Sequence, residues 1–362
     1  MSNRLMDADS YVHVLEAETE RAHAFKATDL EGARAWQRSF RPVLRELLGL
    51  DSIAERGAPP MNARKLSEET LADHVREEWR LETEPGFEVP FFFLRPASTS
   101  AGAAADAPAG APRRLPLVIT PHGHNKAGKN TYVGIYASEE ERHSGEVGER
   151  NIALQAVREG YLAIAPDMRA FAGLRRSEEK KKDATSSCRT LQMQALLFGR
   201  TLIGERVWDV QRLIDWALAR PDVDPERIVV TGNSGGGTVS LFAAAVDERI
   251  RVSVPGSYFS TFKDALALIH HCECNYIPGI MRHAEMWDVA GLIAPRPFLA
   301  VAGDEDRIFP LDAVQRSFAR LREVYRTFGA EDRCRLSVNS GGHRYYKRDV
   351  WPFVKWALQL DH

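Results

Sequence analysis

The sequence predicts an α/β protein built on a mostly parallel, doubly wound sheet. Three observations carry this: short apolar runs from residue 115 onward, amphipathic stretches between them, and turn chemistry at their boundaries. The runs are 115–120, 162–166, 227–231, 252–254, 298–302 and 336–338, and the helical stretches lie near 149–159, 203–219, 236–246, 311–328 and 349–360. Continuous apolar strands flanked by helices are what a parallel sheet covered on both faces requires. Gly160 closes one helix, Gly329 ends another and Pro352 starts a third.

Ahead of this region, residues 11–49 carry helical spacing in two runs, one with Val14, Ala17 and Ala22, the next with Phe40, Val43, Leu44, Leu47 and Leu48. Residues 1–74 are therefore expected to form an N-terminal helical extension. It would pack beside the main domain, with a roof over the active site or a dimer contact as alternatives. Residues 75–83 and 87–94, joined at Pro85-Gly86, alternate as an antiparallel hairpin. The catalytic domain is expected over 75–362. The Ala-, Gly- and Pro-rich tract 97–114 reads as a flexible surface loop.

Composition bounds the function. The chain has 362 residues, ample for a buried core, and a formal net charge of −2. No basic footprint for nucleic acid is present, since the run 175–182 interleaves acids with its lysines and arginines. No apolar run approaches a membrane span and no apolar signal core precedes residue 10, so a cytoplasmic setting is expected. Four cysteines are too few for a disulfide scaffold.

The chemistry centres on Gly232-Asn-Ser-Gly-Gly236, which follows the β-branched run 228–231 and precedes an Ala-rich helical stretch. This is the pattern of a nucleophile elbow: glycines two before and two after the serine let backbones nearly touch, and Ser234 is pushed out above the sheet. The N–H of Gly235, at the helix N-terminus, is placed for a developing oxyanion.

A serine hydroxyl needs a general base, itself oriented by an acid. After the 298–302 strand comes Gly303-Asp-Glu-Asp306, and after 336–338 comes Gly341-Gly-His343. The order serine, acid, histidine is that of an α/β-hydrolase sheet. Asp306 is the expected acid, Asp304 the reserve and Glu305 a distant third; His343 is the expected base. His270, His271 and His283 precede the acid and do not fit. Pro121-His-Gly-His124, on the exit of the first parallel strand, should supply the second oxyanion donor through the amide of His124. Asp167 and Arg169 are expected to fix the loop beneath the elbow through an ion pair, and Trp208 and Asp209 to be packing and surface residues.

Residues 256–290 are expected to form a cap-like insertion lining the pocket, with Tyr258, Phe259, Cys272, Cys274 and Tyr276 shaping specificity. A His-His-Cys-x-Cys cluster at 270–274 can suggest a soft-metal site. The remaining cysteines stand alone in the sequence and a serine triad needs no metal, so no metal and no cofactor are expected. A Cys272–Cys274 link would constrain little.

Taken together, Pro121–His124, Gly232–Gly236, the insertion 271–279, Ala294-Pro-Arg-Pro297, the Asp306 loop and Gly341–His343 resemble an α/β-hydrolase superfamily esterase, of the acetyl xylan esterase-like or dienelactone hydrolase-like branch. The resemblance covers about 75–362. It implies an α/β-hydrolase fold and cleavage of short-acyl, acetyl-type esters of a small molecule or saccharide through an acyl-serine. The expected partner is a small-molecule ester, and homo-oligomerisation stays open. A peptidase of prolyl-oligopeptidase type shares the triad order but would normally bring a propeller or large gating domain. Lactone and C–C bond hydrolases remain rivals on the same triad.

Overall fold

The computed structural model describes residues 8–97 and 114–360. The expected flexible tract thus falls, over 98–113, outside the described residues.

Nine strands form one sheet in the order β1-β2-β3-β5-β4-β6-β7-β8-β9. They are β1 (Arg64–Thr70), β2 (His74–Glu84), β3 (Phe87–Pro96), β4 (Leu115–Ile119), β5 (Leu162–Pro166), β6 (Val223–Asn233), β7 (Ile250–Gly256), β8 (Phe298–Gly303) and β9 (Cys334–Asn339). β1 to β3 pair antiparallel and β3 joins β5 antiparallel; every pairing from β5 through β4 to β9 is parallel. β1 lies within the stretch expected to be helical. Its side chains are exposed throughout, so it carries no burial alternation to betray it.

Alternate residues of the central strands enter opposite cores. Leu117, Ile119, Ile228 and Val230 join one apolar cluster, while Val118, Val229, Val252 and Val254 join the other. This two-sided burial is why the runs read as continuously apolar. The helices α1 (Ile152–Arg158), α2 (Leu202–Leu218), α3 (Gly235–Val246), α4 (Leu311–Thr327) and α5 (Val350–Ala357) fall within a few residues of the predicted stretches. α3 is buried along its whole length.

The N-terminal helices lie against the body of the sheet domain. Phe40, Leu44 and Leu48 of the helix Leu30–Leu48 are fully buried in the larger core. Gln37 donates to the carbonyls of Gly291 and Ala294, and Arg41 to those of Ala245 and Leu292. Among the described residues, no helix is long and apolar enough to cross a membrane.

From β4 the chain goes to β5 on one side and, later, to β6 on the other. Such a reversal opens a crevice at the carboxyl ends of the strands. The loops carrying His124, Ser234, Asp306 and His343 all leave that edge, after β4, β6, β8 and β9.

Candidate active site

The elbow is built by steric necessity. Ser234 takes φ 57° and ψ −119°, a conformation that L-residues avoid. A Cβ on Gly232 would stand 2.2 Å from the Pro121 carbonyl oxygen and 2.9 Å from the Gly236 carbonyl carbon; one on Gly236 would stand 2.0 Å from the same Pro121 oxygen. Only glycine fits at either place. The Ser234 N–H donates to the Gly256 carbonyl at 2.8 Å, which pins the strained residue to β7.

Of the three acids after β8, Asp306 is the one bonded to His343, with Nδ1 2.8 Å from Oδ2. Its other oxygen, Oδ1, accepts from the Ile308 and Phe309 amides at 2.9 and 3.2 Å. Asp306 is buried, so this carboxylate is fixed in place. Asp304 instead accepts from the Gly341 N–H at 2.8 Å and so ties its own loop to the histidine loop. Phe309 stacks on the His343 ring at 5.7 Å.

Ser234 and His343 line one cavity of about 300 Å³ together with Gly123, His124, Tyr132 and Arg150. His270, His271, Cys272 and Ile308 complete most of the remaining wall. Among the described residues no hydrogen bond joins Ser234 Oγ to His343; in free enzymes such contacts are often long and tighten with substrate. A larger cavity, about 710 Å³, lies elsewhere beside Arg38, Arg41 and Arg296 and contains none of these groups. Chemistry, not size, selects the smaller one.

The loop after β4 is held close to the elbow. His122 is buried and burial pushes its pKa down to about 4, so it is the neutral imidazole. Its Nε2 accepts the Met168 N–H at 2.9 Å, which leaves Nδ1 to donate to the Gly123 carbonyl at 2.8 Å. A Cβ on Gly123 would meet Asn233 O at 2.5 Å, and the His124 ring stands over Gly235. The amides of His124 and Gly235 thus sit on two loops in contact.

Several expectations need correction. Asp167 does not pair with Arg169; it accepts from the Lys129 N–H at 2.9 Å and lies 3.3 Å from its ammonium. Arg169 is instead clamped by Asp209 and Glu84, each at 2.7 Å. Asp209 is therefore no surface residue but fully buried, and it also accepts the Thr83 hydroxyl at 2.6 Å. Tyr258 and Phe259 are core residues packed on Phe309 and Phe298, Tyr276 is spent on the Leu266 carbonyl at 2.8 Å and Cys274 is buried behind the wall; of the five expected pocket residues only Cys272 lines the cavity. Nor is Cys188 alone, since it comes together with His124, Cys272 and Cys274. The cavity walls that sequence reasoning missed are Tyr132, Arg150, His270, His271 and Ile308. Tyr132 and Arg150 carry no motif, whereas the closeness of His270 and His271 to the cysteines was a signal. Burial lowers the His271 pKa to about 4, and its Nδ1 lies 3.1 Å from the Asn275 amide nitrogen.

A mostly parallel sheet, a serine on a strained strand-to-helix elbow and an acid and histidine on later loops define an α/β-hydrolase fold. The chain belongs to the Abhydrolase family, whose sequence model matches residues 2–328. A curated relative, "Putative hydrolase YtaP" of Bacillus subtilis (strain 168), is 30% identical over 190 residues, which is 51% of this chain and 60% of that protein. The alignment therefore spans less than two thirds of that relative. Among solved structures, "a putative acetyl xylan esterase" from Bacteroides fragilis superposes with a TM-score of 0.74 at 18% identity, covering 93% of this chain and 83% of the other. A glucuronoyl esterase from Solibacter usitatus superposes with a TM-score of 0.63 at 15% identity, covering 94% and 98%. At such identities the likeness is one of fold.

Proposed function

We propose that the protein is a serine esterase that cleaves short-acyl carboxylic esters of a small molecule or saccharide. The observation that carries this is the Asp306–His343 pair at 2.8 Å, opening into the same cavity as a serine held at φ 57° on an elbow. In the proposed reaction His343 takes the Ser234 proton through Nε2 while Oγ attacks the ester carbonyl. The Gly235 and His124 amides hold the tetrahedral oxyanion, and Asp306 keeps Nδ1–H pointed away from the serine. His343 then returns the proton to the leaving alcohol, and water, activated by the same imidazole, releases the acid. The cavity of about 300 Å³ suits a short acyl chain, and its histidines and Arg150 suit a hydroxylated alcohol part better than an aliphatic one. The reading places the enzyme in the cytoplasm, where thiols stay reduced and where its four cysteines would need no disulfide.

The test is labelling with a fluorophosphonate probe beside an acyl-length series on p-nitrophenyl esters. Labelling at Ser234, lost in Ser234→Ala, with turnover falling from acetyl to octanoyl, is the expected result. An unlabelled serine, or a Ser234→Ala variant with near-full acetate turnover, overturns it.

A further inference from the structure

We propose that His124, Cys188, Cys272 and Cys274 form a closed zinc site that ties the loop after β4 to the wall of the cavity. Their ligand atoms all lie within 4.8 Å of one another. Cys272 Sγ is 3.3 Å from Cys274 Sγ, and His124 Nε2 is 3.5 Å from Cys274 Sγ and 3.9 Å from Cys188 Sγ. A tetrahedral zinc ion, with Zn–S about 2.3 Å and Zn–N about 2.0 Å, requires S···S edges of about 3.8 Å and N···S edges of about 3.6 Å. The Cys272–Cys274, His124–Cys274 and His124–Cys188 edges fall within about 0.5 Å of these values, and no two of the four ligand atoms are more than 4.8 Å apart. A disulfide would need two of the sulfurs at about 2.05 Å, and an apolar burial would not turn three thiols and an imidazole toward one point.

The surroundings fit a thiolate-bound cation. Cys188 and Cys274 are buried, and the guanidinium of the buried Arg206 reaches Cys188 Sγ at 3.4 Å. The Asn275 side-chain amide donates to Cys274 Sγ at 3.6 Å, and its oxygen accepts the Thr238 hydroxyl at 2.9 Å, which fixes its orientation. Three thiolates and one divalent zinc carry a net charge of −1, and Arg206 offsets it. On binding, the three thiols release their protons to solvent while His124 ligates as the neutral imidazole through Nε2. Soft sulfur with one imidazole selects zinc over the hard cations.

Four protein ligands leave no open position, so the ion would be structural rather than a Lewis acid for the ester. Its ligands come from three segments far apart in the chain: the loop after β4, the helix Cys188–Leu197 and the 256–290 insertion. Zinc would hold together the loop that carries the His124 amide and the wall that carries Cys272. The proposal concerns metal binding and stands whether or not Ser234 is a nucleophile.

The experiment is elemental analysis of the full chain purified without chelator, followed by removal of the metal and reconstitution with Zn²⁺ or Co²⁺ alone. The expected result is about one zinc per chain and, with Co²⁺, intense tetrahedral visible bands with a sulfur-to-cobalt charge-transfer band. Cys188→Ser and Cys274→Ser should each lower retained zinc several-fold, whereas Cys334→Ser, on β9 and away from the cluster, should keep it. Should a buried cysteine variant fail to fold, His124→Ala reads the same loss at an exposed ligand. Intact thiols that retain neither metal overturn the proposal. So does a loss of two titratable thiols with a mass two daltons lower, which would mark the cluster as a redox pair.

Discussion

Asp306 presents one carboxylate oxygen to His343 Nδ1 at 2.8 Å and the other to two backbone amides, so the acid and the ring share a single fixed orientation. Asp306→Asn would let the ring adopt the wrong tautomer, and the proposed esterase turnover should fall about 10⁴-fold. Asp304→Asn, whose acid only braces Gly341, should keep most of it. Comparing kcat/KM for the two variants on p-nitrophenyl acetate checks the assignment.

The elbow glycines make a steric prediction. Gly236→Ala sets a methyl 2.0 Å from a backbone oxygen that no rotamer change can move, and should cost about 3 kcal/mol. Gly173→Ala, with nothing within 4 Å, should change stability by less than about 0.5 kcal/mol. Urea unfolding of both variants measures the contrast.

The Arg169 cluster makes an energetic one. Replacing Arg169 with Met strands the buried carboxylate of Asp209, while Glu84 keeps Arg200 and Arg56, and should cost about 3 kcal/mol or more. Because the groups share one network, Arg169→Met with Asp209→Asn should cost less than the two changes summed. A double-mutant cycle in urea decides it, and strict additivity would count against the network.

The insertion carries a pH dependence. Burial raises the pKa of Glu285 to about 7 and that of Asp288 to about 6, while Glu285 accepts the Phe262 and Met286 amides and Asp288 accepts that of Phe25. A carboxyl with a raised folded pKa binds its proton more tightly in the native state. Its stabilising contribution is therefore complete below about pH 4.5 and is lost as pH rises through about 7. Glu285→Gln should remove this residue's share of the fall, worth at most about 3 kcal/mol, and leave the fall from Asp288, which is over by about pH 6. Thermal unfolding across that range would show it, and equal slopes for variant and parent would exclude Glu285 as the source.

Local rules carried much of the reading. Runs of β-branched residues marked strands that are buried on both faces, the glycine spacing marked the elbow, and the order of serine, acid and histidine along the chain marked the loops at one sheet edge. The first two leave a period or a spacing within about a dozen residues, and the third is an order that can be followed along the chain without knowing its folding. β1 left none, since all its side chains are exposed and its ion pairs with β2, such as Glu69 with Arg76, join polar groups that set no apolar period.

What depended on approach in space could not be read that way. Asp306 and Asp304 are two residues apart and chemically alike; the packing of the β8 and β9 loops is what gives His343 to one and Gly341 to the other. Arg169 found Asp209, 40 residues away, in place of its neighbour Asp167. His124 meets Cys188 and Cys274 across separations of 64 and 150 residues. Such encounters are set by how helices and loops dock on a sheet, a consequence of whole-domain packing that no local pattern of residues records.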